Sequence, residues 1–211
     1  MDIGSGLMFL VILIFSAILH EIAHGFVAER LGDPTARLAG RLTLDPRKHI
    51  DPMMSIALPF ILLISGSPII IGAAKPVPVD PFNLRDGRKD MALVSLSGPL
   101  TNIILAILAS FIVRIIVNFQ PSELLSSIIF IFTLIAKLNL LLAIFNLIPI
   151  PPLDGSKIFS LLLPEKLANA FLSLGSIGIF IIFFLLLSGG DLSLGRLIFS
   201  LLSFSERLLG L

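Results

Sequence analysis

The sequence predicts an all-α polytopic membrane protein. Of its 211 residues, 56% are hydrophobic and only 14% are charged, whereas soluble domains carry about a quarter charged residues. Four apolar runs are long enough for the about 20 residues of a spanning helix. With two less regular segments, we expect about four to six transmembrane helices in a single domain, 1–211. Its core covers about 1–160, and C-terminal helices cover 161–211. The four runs lie near 3–28, 92–117, 124–148 and 168–187.

Composition also excludes several classes of function. The formal net charge is +1, so no nucleic-acid-binding surface is expected. The absence of cysteine excludes disulfides, cysteine metal sites and a cysteine nucleophile. The N-terminal residues MDIGSG lack the basic region of a signal peptide, so the first apolar run is predicted to remain as a membrane helix.

The distribution of Lys and Arg predicts the orientation of the helices. Both 29–51 and 73–90 are rich in Lys and Arg, which marks them as cytoplasmic. The apolar run 53–72 lies between them, so a straight span would place them on opposite sides. A re-entrant segment that enters and leaves on the cytoplasmic face resolves this conflict, and it suits the breaks at Pro59 and Pro68.

The C-terminal segment 192–211 is amphipathic. Leucines and Ile198 fall on one helical face, and Arg196, Arg207 and serines fall largely on the other. This pattern is typical of a helix that lies along the membrane interface. Whether 53–72 and 192–211 cross the membrane is left open by the sequence.

The first apolar run ends in the motif H-E-x-x-H, formed by His20, Glu21 and His24. Residues four apart share a helix face, so both imidazoles can bind one metal ion. Glu21 can then act as general base on a metal-bound water. An open position on the metal favours Zn²⁺. The alternative, two structural histidines, is disfavoured because ionisable residues inside a membrane usually serve function.

A zinc site needs a third protein ligand. Asp154 is the strongest candidate, because it follows an apolar helix broken by Pro149, Pro151 and Pro152 at the same predicted depth as His20. An ordinary helix end with an Asp-Gly turn is the alternative. The other candidates lie in a charged loop where solvated roles are the default: Asp33, Asp45, His49 and Asp51.

These motifs resemble the site-2 protease family of intramembrane zinc metalloproteases. HEIAH in the first helix, SGPLTN at 97–102 and FNLIPIPPLDG further on occur in that family's order. The resemblance implies that His20, His24 and Asp154 bind zinc and that Glu21 is the catalytic base. It also implies that Asn146 helps to hold the substrate carbonyl or the oxyanion. Asn102 is expected to hydrogen-bond near the site without binding metal.

The resemblance is to the short branch of the family, without a PDZ or CBS domain. It implies membrane-anchored protein substrates in the lipid bilayer, and short β-strands near the cytoplasmic face that pair with an unwound substrate. Residues 37–44 and 75–79 are the expected strands. Lys137, a charge inside the 124–148 run, is expected to reach the interface or to pair with a carboxylate.

The predicted function is therefore regulated intramembrane proteolysis by a multi-pass protein of the prokaryotic inner membrane, with its active site towards the cytoplasm. The rival interpretation is a membrane metal transporter or metal-binding scaffold, although such proteins rarely need a Glu directly after the first ligand. A catalytically inactive binding module is disfavoured because every motif residue is present. Substrate, oligomeric state and regulatory partner cannot be read from the sequence.

Overall fold

Helices account for all of the regular structure that is described. The computed structural model describes residues 3–65, 75–188 and 193–211. In chain order the α-helices are α1 (Ile3–Arg30), α2 (Thr35–Leu38), α3 (Leu58–Ile64), α4 (Gly87–Ile116), α5 (Glu123–Asn146), α6 (Asp154–Phe159), α7 (Glu165–Leu172), α8 (Gly175–Leu187) and α9 (Leu194–Leu209). A π-helical segment covers Pro52–Ala57, and 3₁₀ turns cover Pro46–Lys48, Pro81–Asn83 and Ser160–Leu162.

Three of the described helices are long and apolar enough to cross a membrane. They are α1, α4 and α5, and they coincide with three of the four predicted apolar runs. The pair α7 and α8 would make a fourth span if it is counted as one helix bent by 73°. The prediction of a polytopic α-helical membrane protein is confirmed at this level.

Helix α4 has a polarity opposite to that of a helix in a soluble protein. Its exposed positions carry large apolar side chains such as Leu100, Ile104 and Phe111. Its buried positions carry small or polar residues, and Ser95 and Asn102 are at most 1% exposed. Small residues allow helices to approach closely in a membrane, where apolar side chains can face lipid. Helix α4 therefore lies at the centre of the bundle, packed against α1, α5 and α6.

The predicted strands are absent from the described residues, which is a correction to the sequence analysis. Residues 37 and 38 belong to helix α2, and the rest of 37–44 has no ladder. The 75–79 segment has no regular secondary structure and forms no strand ladder within the described residues. Pro76 and Pro78 supply no N–H groups, and the carbonyls of residues 75 and 76 accept hydrogen bonds from the Arg41 side chain instead.

Only the first part of the predicted re-entrant segment is described. The π-helical segment and α3 cover residues 52–64. The breaks at Gly66, Ser67 and Pro68 lie outside the described residues, so the return of the chain stays a prediction.

The C-terminal helices pack together on a small apolar cluster. Ile148, which follows α5, forms one buried cluster with Ile182 of α8 and Leu194 and Ile198 of α9. Ser193 caps the N-terminus of α9, and its hydroxyl oxygen accepts a hydrogen bond from the Arg196 N–H. Helix α9 also supplies Glu206, whose Oε2 lies 3.3 Å from the Lys137 Nζ. The expectation that Lys137 pairs with a carboxylate is thus confirmed.

The loop after α1 is organised by the buried carboxylate of Asp33. Its oxygens accept hydrogen bonds from the Asp80 N–H (2.7 Å), the Asn83 side-chain amide (3.0 Å) and the N–H and hydroxyl of Thr35. Burial by itself would raise the pKa of Asp33, but these donors together lower it. Asp33 therefore joins the loop after α1 to the 80–83 turn.

We expect Asp33→Asn to destabilise the protein by about 1–3 kcal/mol at neutral pH, because an amide NH₂ cannot accept the Asp80 N–H. A lowered pKa stabilises the fold above the carboxyl's unfolded pKa, and this contribution is lost as the pH falls through the folded value. Thermal unfolding in detergent should show a lower unfolding temperature for Asp33→Asn than for the wild type at neutral pH. This difference should close in acid. Asp86→Asn, at an exposed pair with Lys89, should change stability by less than about 1 kcal/mol. A gap that persists in acid would contradict this explanation.

Candidate metal centre

Helix α1 presents two histidines on one face. His20 and His24 are one turn apart on a continuous helix, and both are buried. Their Nε2 atoms are 3.0 Å apart. The spacing in H-E-x-x-H thus produces the shared face that the sequence predicted.

Asp154 reaches the same point from the other end of the chain. Its Oδ2 lies 3.1 Å from the Nε2 of His20 and 3.1 Å from the Nε2 of His24. Asp154 opens α6 and is followed by Gly155, at which a Cβ would clash with the Leu147 carbonyl. Glycine therefore lets α6 begin directly against the end of α5. The Asp154 Oδ1 faces the Lys157 Nζ at 3.5 Å.

Hydrogen bonds fix the protons on both imidazoles. The His24 Nδ1 is 2.7 Å from the Val94 carbonyl, which can only accept, so Nδ1 carries the proton. The His20 Nδ1 is 2.6 Å from the Asn102 Oδ1. Both Nε2 atoms are left with lone pairs that face the central point. The expected role of Asn102, hydrogen bonding beside the site, is confirmed.

A buried amide network supports this tautomer at His20. The Asn102 Nδ2 donates to the Asn139 Oδ1 at 2.8 Å, and the Asn139 Nδ2 donates to the Ser16 Oγ at 2.9 Å. Each amide nitrogen is thereby a donor, so the Asn102 Oδ1 must accept from His20. Asn139 was missed by the sequence analysis, although a polar residue inside the 124–148 run was a signal for it.

The three converging atoms fit a zinc ion. Two imidazole lone pairs and a carboxylate oxygen lie 3.0–3.1 Å from one another, and without a cation between them they would repel. Ligands at 2.0–2.2 Å from a tetrahedral zinc are roughly 3.3 Å apart, close to the separations found here. Two nitrogens and one oxygen with room for water form the donor set of a catalytic zinc site.

Gly98 allows α4 to pass directly over the histidines. A Cβ at this position would lie 2.5 Å from the His24 Cε1 and 2.6 Å from the His20 Cε1. The element SGPLTN thus contributes a glycine for close approach and Asn102 for the hydrogen bond. Pro99, which follows Gly98, is also buried.

We expect Gly98→Ala to weaken zinc binding roughly 10–100-fold, as loss of support around a metal site does, because the added methyl group must displace both imidazoles. Gly195→Ala is the matched control, since a Cβ there meets only one atom, at 3.9 Å. Zinc affinity, measured by competition with a chromophoric chelator, should fall for Gly98→Ala alone. Equal affinity in the two variants would show that the histidines do not depend on this close approach.

Glu21 and Asn146 border the same cavity of about 390 Å³ as the three converging residues. Glu21 has a carboxylate oxygen within 4.8 Å of a ring nitrogen of each histidine. Its Oε2 accepts a hydrogen bond from the Val77 N–H at 2.7 Å. Asp154 is 3.1 Å from both histidines, whereas Glu21 is bonded to the 75–79 segment, an arrangement that suits a base better than a ligand. The cavity is lined by His20, Glu21, His24, Pro76, Val77, Val79, Met91, Val94, Ser95, Asn146, Pro152, Leu153, Asp154 and Lys157.

Asn146 lies on the cavity wall, but its amide donates within its own helix. The Asn146 Nδ2 is 3.0 Å from the Leu142 carbonyl. The predicted contact with a substrate carbonyl requires this hydrogen bond to be exchanged for one to the substrate.

The remaining candidate ligands lie elsewhere. Asp33 anchors the loop described above, and Asp45 caps a 3₁₀ turn and pairs with Arg47. His49 is fully buried and its Nε2 hydrogen-bonds the Thr43 carbonyl. Asp51 accepts a hydrogen bond from the Met53 N–H. In the described residues only the H-E-x-x-H motif forms a group suited to a metal, and Asp154 joins it by distance.

Comparisons with known proteins point to one family. Residues 112–188 match the profile of peptidase family M50, a range that includes Asn146 and Asp154. The chain is 38% identical over 178 residues to YwhC of Bacillus subtilis, which is named as a zinc metalloprotease; the match covers 82% of this chain and 77% of YwhC.

Two further relatives are also named as zinc metalloproteases. Rip2 of Mycobacterium tuberculosis is 38% identical over 140 residues, 66% of this chain, and the match spans about half of Rip2 (51%). MJ0611 of Methanocaldococcus jannaschii is 34% identical over 158 residues, 74% of this chain and 65% of that protein. No solved structure matches the chain significantly.

These relatives agree with the zinc-compatible geometry, and nothing in them supports a transporter or scaffold. The chain belongs to peptidase family M50, the site-2 protease family of intramembrane zinc metalloproteases.

Proposed function

We propose that this chain hydrolyses peptide bonds within or next to the transmembrane segments of membrane-anchored proteins. The observation that carries the proposal is the convergence of His20, His24 and Asp154 beside Glu21, on a cavity between helices long enough to span a membrane. His20, His24 and Asp154 hold the zinc, and Glu21 is the catalytic base.

A bound zinc ion would polarise the scissile carbonyl and make the attacking water more acidic. Glu21 takes the proton from that water, so an anionic carboxylate close to the three ligands is required. The water oxygen then bonds to the carbonyl carbon, and Glu21 returns the proton to the leaving amine as the C–N bond breaks. Both proton transfers use the same carboxylate.

Asn146 stabilises the negative charge that develops on the substrate carbonyl oxygen. Its side chain borders the cavity that His20, Glu21 and His24 of α1 also line. An amide N–H aimed at an oxyanion in a site shielded from water typically contributes roughly 10²–10³-fold in rate. The hydrogen bond from the Asn146 Nδ2 to the Leu142 carbonyl holds the amide in place until a substrate carbonyl replaces Leu142 as the acceptor.

The site opens towards the cytoplasm of a prokaryotic cell, and the protein lies in its inner membrane. Lys and Arg are concentrated in residues 29–51 and 73–90, next to the end of α1 that carries the histidines. The Arg47 side chain is 88% exposed in this region. The α4–α5 connection at 117–122, at the opposite end of α4, has no Lys or Arg.

The test is cleavage of membrane-anchored proteins by the purified chain in liposomes, with zinc removed by chelation and then restored. Cleavage that stops and returns with zinc is expected. Zinc uptake into the liposomes with no cleavage of any substrate in a broad panel would contradict the proposal. Because the chain has no cysteine, Arg47→Cys can be labelled singly, and an impermeant maleimide should reach it only from the cytoplasmic side.

A further inference from the structure

The 75–79 segment, with the sequence Lys-Pro-Val-Pro-Val, passes across the cavity of the metal centre. Pro76, Val77 and Val79 all border this cavity. The segment has no regular secondary structure, but hydrogen bonds fix the backbone at both Lys75 and Val77. The Lys75 N–H donates to the His49 carbonyl at 2.8 Å.

The Arg41 side chain binds the backbone carbonyl groups of the same part of the segment. Its Nη2 donates to the Lys75 carbonyl at 2.6 Å and to the Pro76 carbonyl at 3.1 Å. Arg41 is only 8% exposed, so this charge-assisted contact is shielded from water. No other function described above uses Arg41.

The Pro76 carbonyl and the Val77 N–H belong to one planar peptide unit. Arg41 donates to the Pro76 oxygen of that unit. The Val77 N–H of the same unit donates to the Glu21 Oε2 at 2.7 Å. A cation therefore lies at one end of the peptide and an anion at the other, in line with the peptide dipole. Hydrogen bonds in such a chain polarise and strengthen one another.

We propose that Arg41 is a positioning residue that orients the Glu21 carboxylate through the Pro76–Val77 peptide bond. The Val77 N–H occupies Oε2 and leaves Oε1 for the attacking water. Arg41 fixes the plane of the peptide, and that plane sets the direction of the N–H. The inference rests on the proposed role of Glu21 as base.

Arg88 offers a matched control. Its Nη2 also donates to two backbone carbonyls, those of Ser160 and Leu163, and its Nε, like that of Arg41, is buried without a partner in the described residues. Arg88 does not border the cavity. Arg41→Met and Arg88→Met therefore remove comparable contacts, and only the first touches the path to Glu21. Arg41→Lys retains the charge but replaces the planar guanidinium with an ammonium on a flexible stem.

The first readout is independent of catalysis. Pro76–Val77 and Pro78–Val79 are the only Pro-Val pairs in the chain. Labelling with carbonyl-¹³C proline and ¹⁵N valine therefore gives two amide signals in a carbonyl-filtered NMR experiment on the full chain in micelles. We expect the Val77 amide proton to move upfield in both Arg41→Met and Glu21→Gln, by more than the Val79 signal, and to stay unchanged in Arg88→Met.

The second readout is the division between kcat and KM. Arg41→Met should lower kcat roughly 10²-fold, the cost of misplacing a reacting group by about 1 Å. KM and zinc content should stay at wild-type values, with partial recovery in Arg41→Lys. An unchanged Val77 signal, an unchanged kcat, or losses in Arg88→Met equal to those in Arg41→Met would each overturn the proposal. If Glu21→Gln still cleaves substrate, the proposed base is wrong, and the Val77 signal still reports whether Arg41 is linked to Glu21.

Discussion

Glu21→Gln is expected to abolish peptide hydrolysis and to leave zinc bound. Glutamine has nearly the shape of glutamate, and its Oε1 can still accept the Val77 N–H that the carboxylate accepts at 2.7 Å. It cannot take a proton from water at neutral pH. Loss of a general base typically costs about 10²–10⁴-fold, so the rate of cleavage should fall by at least that factor. Cleavage in liposomes and zinc content of the same preparation are the two measurements.

Glu29→Gln is the control on the same helix. Glu29 lies near the end of α1 and pairs with Arg37 away from the cavity, so this variant should cleave normally. Wild-type cleavage by Glu21→Gln would remove Glu21 from the mechanism. Loss of zinc together with cleavage would instead identify Glu21 as a ligand, a role that its position within 4.8 Å of the histidines makes testable.

Sequence periodicity predicted the centre of the site because that part of the geometry is local. One helical turn takes about 3.6 residues, so His20 and His24, four apart, had to share a face once α1 formed. Asp154 was selected by the depth of the helix that ends before it. The structure brings its Oδ2 to 3.1 Å from both histidines. In each case the periodicity or the length of a single helix was enough to predict where the residue lies.

The support around the site could not be predicted in the same way. Asn139 meets Ser16 across 123 residues, and Val77 meets Glu21 across 56. No local period encodes such contacts, because they depend on how separate helices and loops pack. The predicted strand at 75–79 failed for a related reason. It was expected from the family resemblance, but Pro76 and Pro78 supply no N–H groups, and the Arg41 side chain binds the carbonyls that a neighbouring strand would have paired with.

Asp154→Asn should weaken zinc binding more than any change outside the three ligands. The amide has no negative charge, so the ion would keep two neutral imidazoles and a weak carbonyl oxygen. Replacement of a supporting group can already cost about 10–100-fold in affinity, and we expect at least about 100-fold here. Competition with a chromophoric chelator measures the affinity, and cleavage should fall with it at limiting zinc.

Asp45→Asn is the matched control, because Asp45 was an alternative third ligand in the sequence and lies in an exposed pair with Arg47. It should bind zinc like the wild type. Loss of zinc in Asp45→Asn with retention in Asp154→Asn would reverse the assignment. Paired with Glu21→Gln, the experiment separates two carboxylates that border one cavity. A ligand variant loses zinc and cleavage together, whereas a base variant loses cleavage alone, because only the ligand's charge holds the ion before any substrate arrives.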